Sequence, residues 1–151
     1  MNSPVKKKQY CTFQLGNLDF GVEVLNVQEV MLQPTITAVP LAPQVVRGLM
    51  NLRGQIVPSI DLRERLDLPT NTERLPMCVV LTSDDGPVSL LVDQIGDVVE
   101  IGEEAFEPTP ATVQGETRKI VAGVYKLENR LLLVLDVERA LTFELEVCGA
   151  A

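Results

Sequence analysis

Two pairs of neighbouring carboxylates, Asp84–Asp85 and Glu103–Glu104, are the residues in this sequence best suited to acid–base chemistry. Paired carboxylates can divide the roles of acid and base, as they do in glycoside hydrolysis. Both pairs fall in predicted loops, where solvated turn charges are the simpler interpretation. The sequence has no histidine, which removes the usual general base and the most common metal ligand. An enzyme that uses carboxylates or a lysine therefore remains only an alternative.

The three cysteines, Cys11, Cys78 and Cys148, are widely spaced and odd in number. A zinc site would need paired Cys or His ligands, and the sequence contains no CxxC motif. Structural thiols in a reducing cytosol are the interpretation that we favour. The glycine-rich motifs that bind nucleotide phosphates and the GxSxG motif of serine hydrolases are also missing. We therefore predict no metal, no cofactor and no enzymatic activity.

The charge balance argues against nucleic acid as a partner. The formal net charge is −8, and Lys6, Lys7 and Lys8 supply three of the 13 basic residues. Binding to phosphate backbones needs clustered Lys and Arg, and single-stranded nucleic acid also needs stacking aromatics, which make up only 4% of this chain. No run of apolar residues is long enough to span a bilayer, so we also predict no direct insertion into a membrane.

Alternating apolar residues predict a chain built from β-strands. Residues 10–15 and 18–24 alternate in this way around Gly16–Asn17, which is the pattern of a tight hairpin. The stretch GLMNLRGQIVPSID, residues 48–61, predicts a second hairpin with Arg53–Gly54 as its turn. An exposed arginine is suited to protein recognition because its planar guanidinium makes several directed hydrogen bonds. A solvated turn residue, or an internal pair with a carboxylate, is the structural alternative for Arg53.

The second half of the chain repeats this plan in two registers. The first match, which we call the early register, aligns the first hairpin with a later one at a fixed offset, so that Phe13 is matched with Leu81. The late register matches Asp61 with Asp136, and both are predicted to cap a short helix. The second half is slightly longer between the two matches, and we assign its extra residues to a predicted loop over 107–118. We therefore predict an all-β fold of two similar five-stranded halves that are packed together with a groove between them.

The run VxxVQEV ending at Val30, three spaced prolines, and the stretch GLMNLRGQIVPSIDLR beginning at Gly48 resemble the CheW family of chemotaxis coupling proteins. The likeness covers about residues 9–143. It implies a CheW-like domain of two SH3-like five-stranded β-barrels, with short helices and a groove between the barrels. It also implies a non-enzymatic adaptor that couples transmembrane chemoreceptors, the methyl-accepting chemotaxis proteins, to the regulatory domain of the histidine kinase CheA.

The resemblance also implies roles for particular residues. Val27 and Glu29 are expected to contact the kinase, and Gly48, Asn51 and Arg53 mark the signature turn. These five residues are our candidates for partner binding in the first barrel.

The receptor's cytoplasmic tip is expected in the groove, near the strand that follows Met77. We expect Glu29 and Arg53 to be neighbours whose ion pair fixes the turn. If partly buried, the pair would contribute more than the roughly 0.2–1 kcal/mol of an exposed pair. Glu128–Asn129 stands where the first half has Arg53–Gly54, so the two halves should not be interchangeable as binding surfaces.

The expected organisation is a flexible basic tail over 1–8, a CheW-like domain over 9–143, and a C-terminal tail over 144–151. The domain divides into intertwined halves of about 9–76 and 77–143. We expect the chain to be cytoplasmic and recruited to membrane-associated chemoreceptor arrays. The alternatives are a CheW-like regulatory scaffold of a kinase pathway outside chemotaxis and, less favoured, a small β-barrel enzyme.

Overall fold

The structure, a computed structural model, describes residues 6–32, 34–69 and 76–142. Ten strands and three short helices follow one another along these residues. The strands are β1 Lys7–Leu15, β2 Leu18–Glu23, β3 Val27–Met31, β4 Val46–Leu52, β5 Gln55–Asp61, β6 Met77–Ser83, β7 Gly86–Val92, β8 Gln94–Gly102, β9 Val121–Lys126 and β10 Leu131–Leu135, and the helices are α1 Leu62–Arg65, α2 Gly115–Ile120 and α3 Val137–Leu141. Two 3-10 turns, Val24–Asn26 and Glu103–Ala105, complete the set in these ranges.

The basic segment near the N-terminus takes part in the first sheet. Lys7 and Lys8 were predicted to belong to the tail but lie in β1, and the Lys8 ammonium pairs with Glu23 at 3.3 Å and with Glu103 at 3.5 Å. Backbone pairing of Lys7 with Gly102 and of Lys8 with Ile101 on β8 makes the basic segment part of the sheet as far as Lys7. The predicted C-terminal tail and Cys148 lie outside the described residues.

The strands form two five-stranded sheets, each of which contains strands from both halves of the chain. The first sheet has the order β8–β1–β2–β10–β9 and the second has the order β3–β6–β7–β5–β4. Pairing is antiparallel except between β2 and β10 and between β5 and β7. When each strand is replaced by its match in the early or late register, the strand order of the first sheet becomes that of the second. The internal repeat predicted from the sequence is therefore confirmed. The halves bounded at 9–76 and 77–143 describe this repeat, and each sheet combines strands from the two.

The largest apolar cluster lies between the two sheets. Its buried strand residues are Cys11, Phe13, Leu15, Phe20, Val22, Val121, Val124, Leu133 and Leu135 from the first sheet, and Ile60, Val79, Leu81, Leu90 and Val92 from the second. Two smaller clusters each draw on one sheet only, around Tyr10 and Tyr125 in the first and around Met50 and Val57 in the second. Full burial of one such side chain stabilises the fold by about 1.5–3 kcal/mol, so the seam between the sheets is the main source of stability.

Each sheet curls into a barrel because a segment outside its named strands pairs with its last strand. Thr37 exchanges two backbone hydrogen bonds of 2.8 Å with Leu49 of β4. Glu107 exchanges bonds of 2.9 and 2.8 Å with Val124 of β9. Leu49 and Val124 are equivalent in the late register, so both barrels close in the same way.

A glycine precedes each closing residue because no side chain fits there. A Cβ at Gly48 would collide with the backbone carbonyl of Thr37, and a Cβ at Gly123 would collide with the Phe106 ring. Gly48 is buried under this closing segment. Gly48 therefore occupies a structural position in the barrel, and the contribution to partner binding expected of it stays a prediction.

Asp61 and Asp136 lie at the N-termini of α1 and α3. The Asp61 carboxylate accepts hydrogen bonds from the backbone N–H groups of Arg63 at 3.0 Å and Glu64 at 3.4 Å. The Asp136 carboxylate accepts one from the N–H of Arg139 at 3.1 Å. These bonds satisfy donors that have no partner within a helix, and they stop each strand at the start of its helix.

The segment predicted as a loop over 107–118 contains the start of α2, so that prediction is wrong for residues 115–118. Tertiary contacts account for this helix. Ile120 is buried in the cluster between the sheets, and Glu116 pairs with Lys119 at 2.5 Å and with Arg65 at 2.9 Å. The Lys119 ammonium, followed by the Arg65 guanidinium, lowers the pKa of Glu116.

Arg65 is a buried cation that connects the three helices. Besides Glu116, its guanidinium donates to the carbonyls of Ala140 and Arg139, both at 3.2 Å, and of Thr142 at 3.0 Å. These carbonyls lie at the end of α3, where helical carbonyls otherwise lack partners. Arg65 therefore caps α3 and ties it to α1.

Gly48→Ala is expected to lower the free energy of unfolding by about 1–3 kcal/mol, because the backbone of Thr37 would have to move. Gly123→Ala is the matched control, and it should cost less because the exposed Phe106 side chain can swing away about its Cα–Cβ bond, whereas the Thr37 backbone is fixed by its pairing. Urea unfolding of both variants measures the difference. Equal losses would contradict this account of barrel closure.

The buried hydroxyl of Tyr10 leads to a second prediction, about the free energy of unfolding at alkaline pH. Its hydroxyl lies 3.1 Å from that of Tyr125, and burial, with this hydrogen bond in support, raises the pKa of Tyr10 well above its ordinary value. In the unfolded chain a tyrosine ionises near its ordinary pKa, so the stability from a protonated Tyr10 is complete below that pH and is lost as the pH rises above it. Unfolding free energies measured across the alkaline range should therefore fall less steeply in Tyr10→Phe than in the unmodified protein. Parallel slopes would refute this role of Tyr10.

Candidate protein-binding surfaces

The turn between β4 and β5 holds Arg53 in an uncommon backbone conformation. Arg53 has φ 54° and Gly54 has φ 86°, the pair of positive values that a two-residue hairpin turn requires. Positive φ is unfavourable for a residue with a Cβ. The Asn51 side-chain oxygen accepts a hydrogen bond of 2.8 Å from the Gly54 N–H, which stabilises the turn. The turn thereby projects the Arg53 side chain into solvent.

Arg53 forms an ion pair with Glu29 of β3, with 2.5 Å between Nη2 and Oε1. The pair predicted between these two residues is therefore confirmed. β3 and β4 are the two edge strands of the second sheet, so the pair links its opposite edges. The Arg53 side chain is 82% exposed and that of Glu29 is 24% exposed. Because solvent screens the arginine, the energy of the pair falls in the exposed range of roughly 0.2–1 kcal/mol.

The outer face of the same hairpin carries apolar side chains. Leu49 lies opposite Pro58, and Asn51 lies opposite Ile56. Leu49 and Ile56 are both exposed, the latter to 61%. Leu49, Asn51, Arg53 and Ile56, with Glu29 beside them, define what we call the hairpin surface. An apolar patch with an arginine at one end has the composition of an interface centre.

Val27 lies on a different side of β3 from Glu29. It stands opposite Leu81 and packs against the cluster between the sheets. A β-bulge between Val27 and Glu29 breaks the alternation, so the two predicted kinase contacts point in different directions. Glu29 belongs to the hairpin surface and Val27 to the seam.

Val30 and Val98 form an exposed rim of the seam between the sheets. Val30 lies opposite Val79, and Val98 lies opposite Cys11; both partners are buried in the inter-sheet cluster. Residues opposite each other in an antiparallel pair point to the same face. Val30 and Val98 therefore point towards the seam, yet both are exposed, Val98 to 57%.

Met77 lies in the same region, at the start of β6. Its sulfur accepts a hydrogen bond of 3.3 Å from the Ile95 N–H of β8, so it connects the two sheets at the seam. Val27, Val30, Met77, Ile95 and Val98 lie on β3, β6 and β8, on the two sides of the seam, and we call this set of residues the seam groove. The early register places Val27 on Ile95 and Val30 on Val98, so the two walls of the groove are related by the internal repeat.

Sequence reasoning missed Val30 and Val98, although a signal for them exists. Val98 is followed by Val99, and Val30 by Met31. Met31 and Val99 pack inside their barrels. Two adjacent apolar residues in a strand mean that both faces are apolar, whereas one solvated face requires alternation.

The described residues offer little for catalysis or metal binding. The Asp84 N–H donates to the Glu138 carboxylate, and Glu103 pairs with Lys8. Within 6–32, 34–69 and 76–142, no group of three His, Cys, Asp or Glu side chains is arranged to hold a metal ion. Cys11 and Cys78 are buried, and burial raises the pKa of both thiols. A protonated, buried thiol is a poor nucleophile.

None of the helices in the described part of the chain is long and apolar enough to cross a bilayer.

Replacing Glu29 and Arg53 by alanine, singly and together, should give a coupling energy of about 0.2–1 kcal/mol for unfolding. The coupling should decline in molar salt, where the Debye length is about 3 Å. Guanidinium would itself screen the pair, so urea is the denaturant to use. A coupling well above this range would mean that the exposed geometry of Arg53 is wrong.

A family model described as CheW-like domain matches residues 9–144. Chemotaxis protein CheW of Treponema pallidum is 30% identical over 136 residues, which cover 87% of this chain and 80% of that protein. Chemotaxis protein CheW of Bacillus subtilis is 32% identical over 136 residues, covering 87% of this chain and 85% of that protein. The crystal structure of scaffolding protein TtCheW from Thermoanaerobacter tengcongensis superposes with a TM-score of 0.79 at 27% identity, covering 86% of this chain and 89% of that one.

Proposed function

The chain belongs to the CheW family of chemotaxis scaffold proteins, and on this premise we propose that it couples transmembrane chemoreceptors to the histidine kinase CheA. The family is non-enzymatic, which argues against the alternative of a small β-barrel enzyme. Chemotaxis, rather than another kinase pathway, is the setting that the names of the relatives support.

The observation that carries the proposal is the exposed apolar rim of the seam. Val30 and Val98 extend a face that is otherwise buried between the sheets. A partner that covers this rim gains burial at about 25 cal/mol per Å² of apolar surface, without any rearrangement of the core. We propose that the seam groove takes the cytoplasmic tip of a chemoreceptor, close to Met77.

The hairpin surface is the second site in the proposal. Arg53 and Glu29 are ionised side chains at the end of an apolar strip that includes Ile56. We propose that this surface contacts the regulatory domain of CheA. Asn51, itself part of this surface, holds the turn, and the buried Gly48 supports the surface from beneath, next to the closing segment. Val27 contributes to the seam groove instead.

The location follows from these partners. We propose that the chain works in the cytoplasm, where receptor tips and the kinase are, and that binding recruits it to membrane-associated arrays. We propose that its folded domain extends from β1, which starts at Lys7, to about residue 143.

A matched pair of substitutions tests whether the two surfaces have separate partners. Ile56→Asp and Val98→Asp each place a carboxylate at a β-branched residue of similar exposure, 61% and 57%. Ile56→Asp should weaken binding to the CheA regulatory domain by about tenfold or more, which is about 1.4 kcal/mol. Val98→Asp should weaken binding to a receptor tip fragment to a similar degree. Calorimetric titration of each variant with both partners measures all four affinities.

Each variant is the control for the other. If both lose both partners equally, the substitutions have disturbed the fold and two separate sites are not supported. If the unmodified chain binds neither partner, the proposed coupling function fails.

Arg53→Glu provides a separate test of the hairpin surface. It should weaken binding to the kinase domain, because it removes the cation of the interface and places a second negative charge beside Glu29. The melting temperature should change little, since Arg53 is mostly solvated. Lys126→Glu, a charge reversal at an exposed lysine of the other barrel, is the control and should leave kinase affinity unchanged. A large fall in the melting temperature of Arg53→Glu would assign Arg53 a structural role.

A further inference from the structure

The chain passes between the two sheets at two places along its described strands. It leaves the first sheet after β2 and enters β3 through the 3-10 turn Val24–Asn26. It leaves the second sheet after β7 and enters β8 through Asp93 alone. The early register places Leu25 on Asp93, so the two crossings are equivalent in the internal repeat.

Asp93 is held at its crossing by charge-assisted hydrogen bonds. Arg63 of α1 binds both carboxylate oxygens, with Nε to Oδ1 at 2.8 Å and Nη2 to Oδ2 at 2.5 Å. The same Oδ2 accepts the N–H of Gly16 at 2.8 Å, and the Asp93 N–H donates to the Gln14 carbonyl at 3.1 Å. The remaining guanidinium nitrogen of Arg63 donates to the Pro69 carbonyl at 2.6 Å.

This arrangement joins the two sheets directly. Gln14 and Gly16 belong to β1 and its turn in the first sheet, whereas Arg63 follows β5 of the second sheet. Both charged side chains are only 16% exposed, so solvent screens their interaction weakly. Two parallel bonds between a guanidinium and a carboxylate also restrict orientation, which a single bond does not.

The equivalent crossing has no such arrangement. Leu25 cannot accept a hydrogen bond through its side chain, and it is 92% exposed. The late register places Arg63 on Glu138, whose carboxylate accepts the Asp84 N–H at 3.3 Å and so holds a turn rather than a crossing. The repeat therefore has one held crossing and one without this restraint.

We propose that Arg63 and Asp93 are positioning residues that fix the angle between the two barrels and, through it, the width of the seam groove. The walls of the groove, β3 and β8, start at the two crossings. Because Arg63 holds Asp93, β8 starts in one fixed direction. Relative motion of the barrels is then confined to the other crossing, Val24–Asn26. The consequence for receptor binding rests on the function proposed above, whereas the effect on the barrel angle does not.

A distance measurement within the full chain tests whether the Arg63–Asp93 pair fixes the angle between the barrels. Spin labels are placed at Ile56→Cys and Lys126→Cys, exposed positions in the second and first sheets, in a Cys148→Ser background. Buried native thiols label poorly, and a sample without the two new cysteines checks this. Pulsed electron–electron double resonance then gives the distribution of label distances. Asp93→Asn and Arg63→Gln should broaden or shift this distribution.

Arg63→Lys separates positioning from simple charge loss. It keeps the charge but loses the two-bond geometry, so it should broaden the distribution although the ion pair persists. If Asp93→Asn does not fold, the Arg63→Lys variant still carries the comparison. Arg130→Gln is the matched control, because Arg130 pairs with Asp19 at 3.6 Å within the first sheet and should not affect the barrel angle.

Binding measurements complete the test. Affinity for a receptor tip fragment should fall about fivefold to tenfold in Asp93→Asn, while affinity for the kinase domain stays within about twofold. A distance distribution identical to that of the unmodified chain, together with a lower melting temperature, would overturn the proposal and leave the pair a purely stabilising role. If the unmodified chain does not bind the receptor fragment, the proposed coupling function fails. The distance measurement still tests whether the Arg63–Asp93 pair fixes the angle between the barrels.

Discussion

The exchange of strands between the two halves is the constraint on which the rest of this structure depends. Neither sheet can be completed by one half of the chain, because β2 must pair with β10 and β7 must pair with β5. These two parallel pairings bring residues of each half into both barrels. The large apolar cluster then forms between the sheets and not within either barrel. The barrels are therefore coupled in position, since any movement of one against the other disturbs the main core.

The proposed receptor groove is a consequence of that core. Val27 of β3 and Ile95 of β8 pack against this core, whereas Val30 and Val98 on the same two strands are exposed. Both strands lie at the edges of their sheets. The core therefore supplies the floor of the groove, and the edges supply its rim. A scaffold protein needs such surfaces to be rigid, because their geometry is what it transmits to its partners.

The internal repeat preserves the topology of the two barrels and changes their chemistry. Arg53–Gly54 in one hairpin stands where the other has Glu128–Asn129, so only one barrel presents an arginine on a tight turn. Inside the barrels, Ser59 lies opposite Ser89 where the other barrel has Val134 opposite Gly21. Both serine hydroxyls are buried, and the Ser59 hydroxyl has no hydrogen-bond partner among the described residues. Similar folds with different surfaces agree with the proposal that this chain offers separate sites to two partners.

Local patterns in the sequence determined the hairpins, the capping aspartates, the repeat and the family to which the chain belongs. They also placed Glu29 beside Arg53, because both lie in segments that the signature motif brings into one barrel. Each of these features depends on neighbours a few residues apart or on a motif at fixed spacing.

Only the tertiary structure decided which half completes each barrel, that α2 forms in a predicted loop, that Gly48 is buried, and that Val30 and Val98 are exposed. These features depend on residues that lie far apart in the sequence, such as Arg65 with Glu116 and Arg63 with Asp93. Alternation within a strand shows that a face is apolar but not what will cover it. Whether a valine becomes core or binding surface is decided by which strand pairs beside it, and that choice is made by long-range packing.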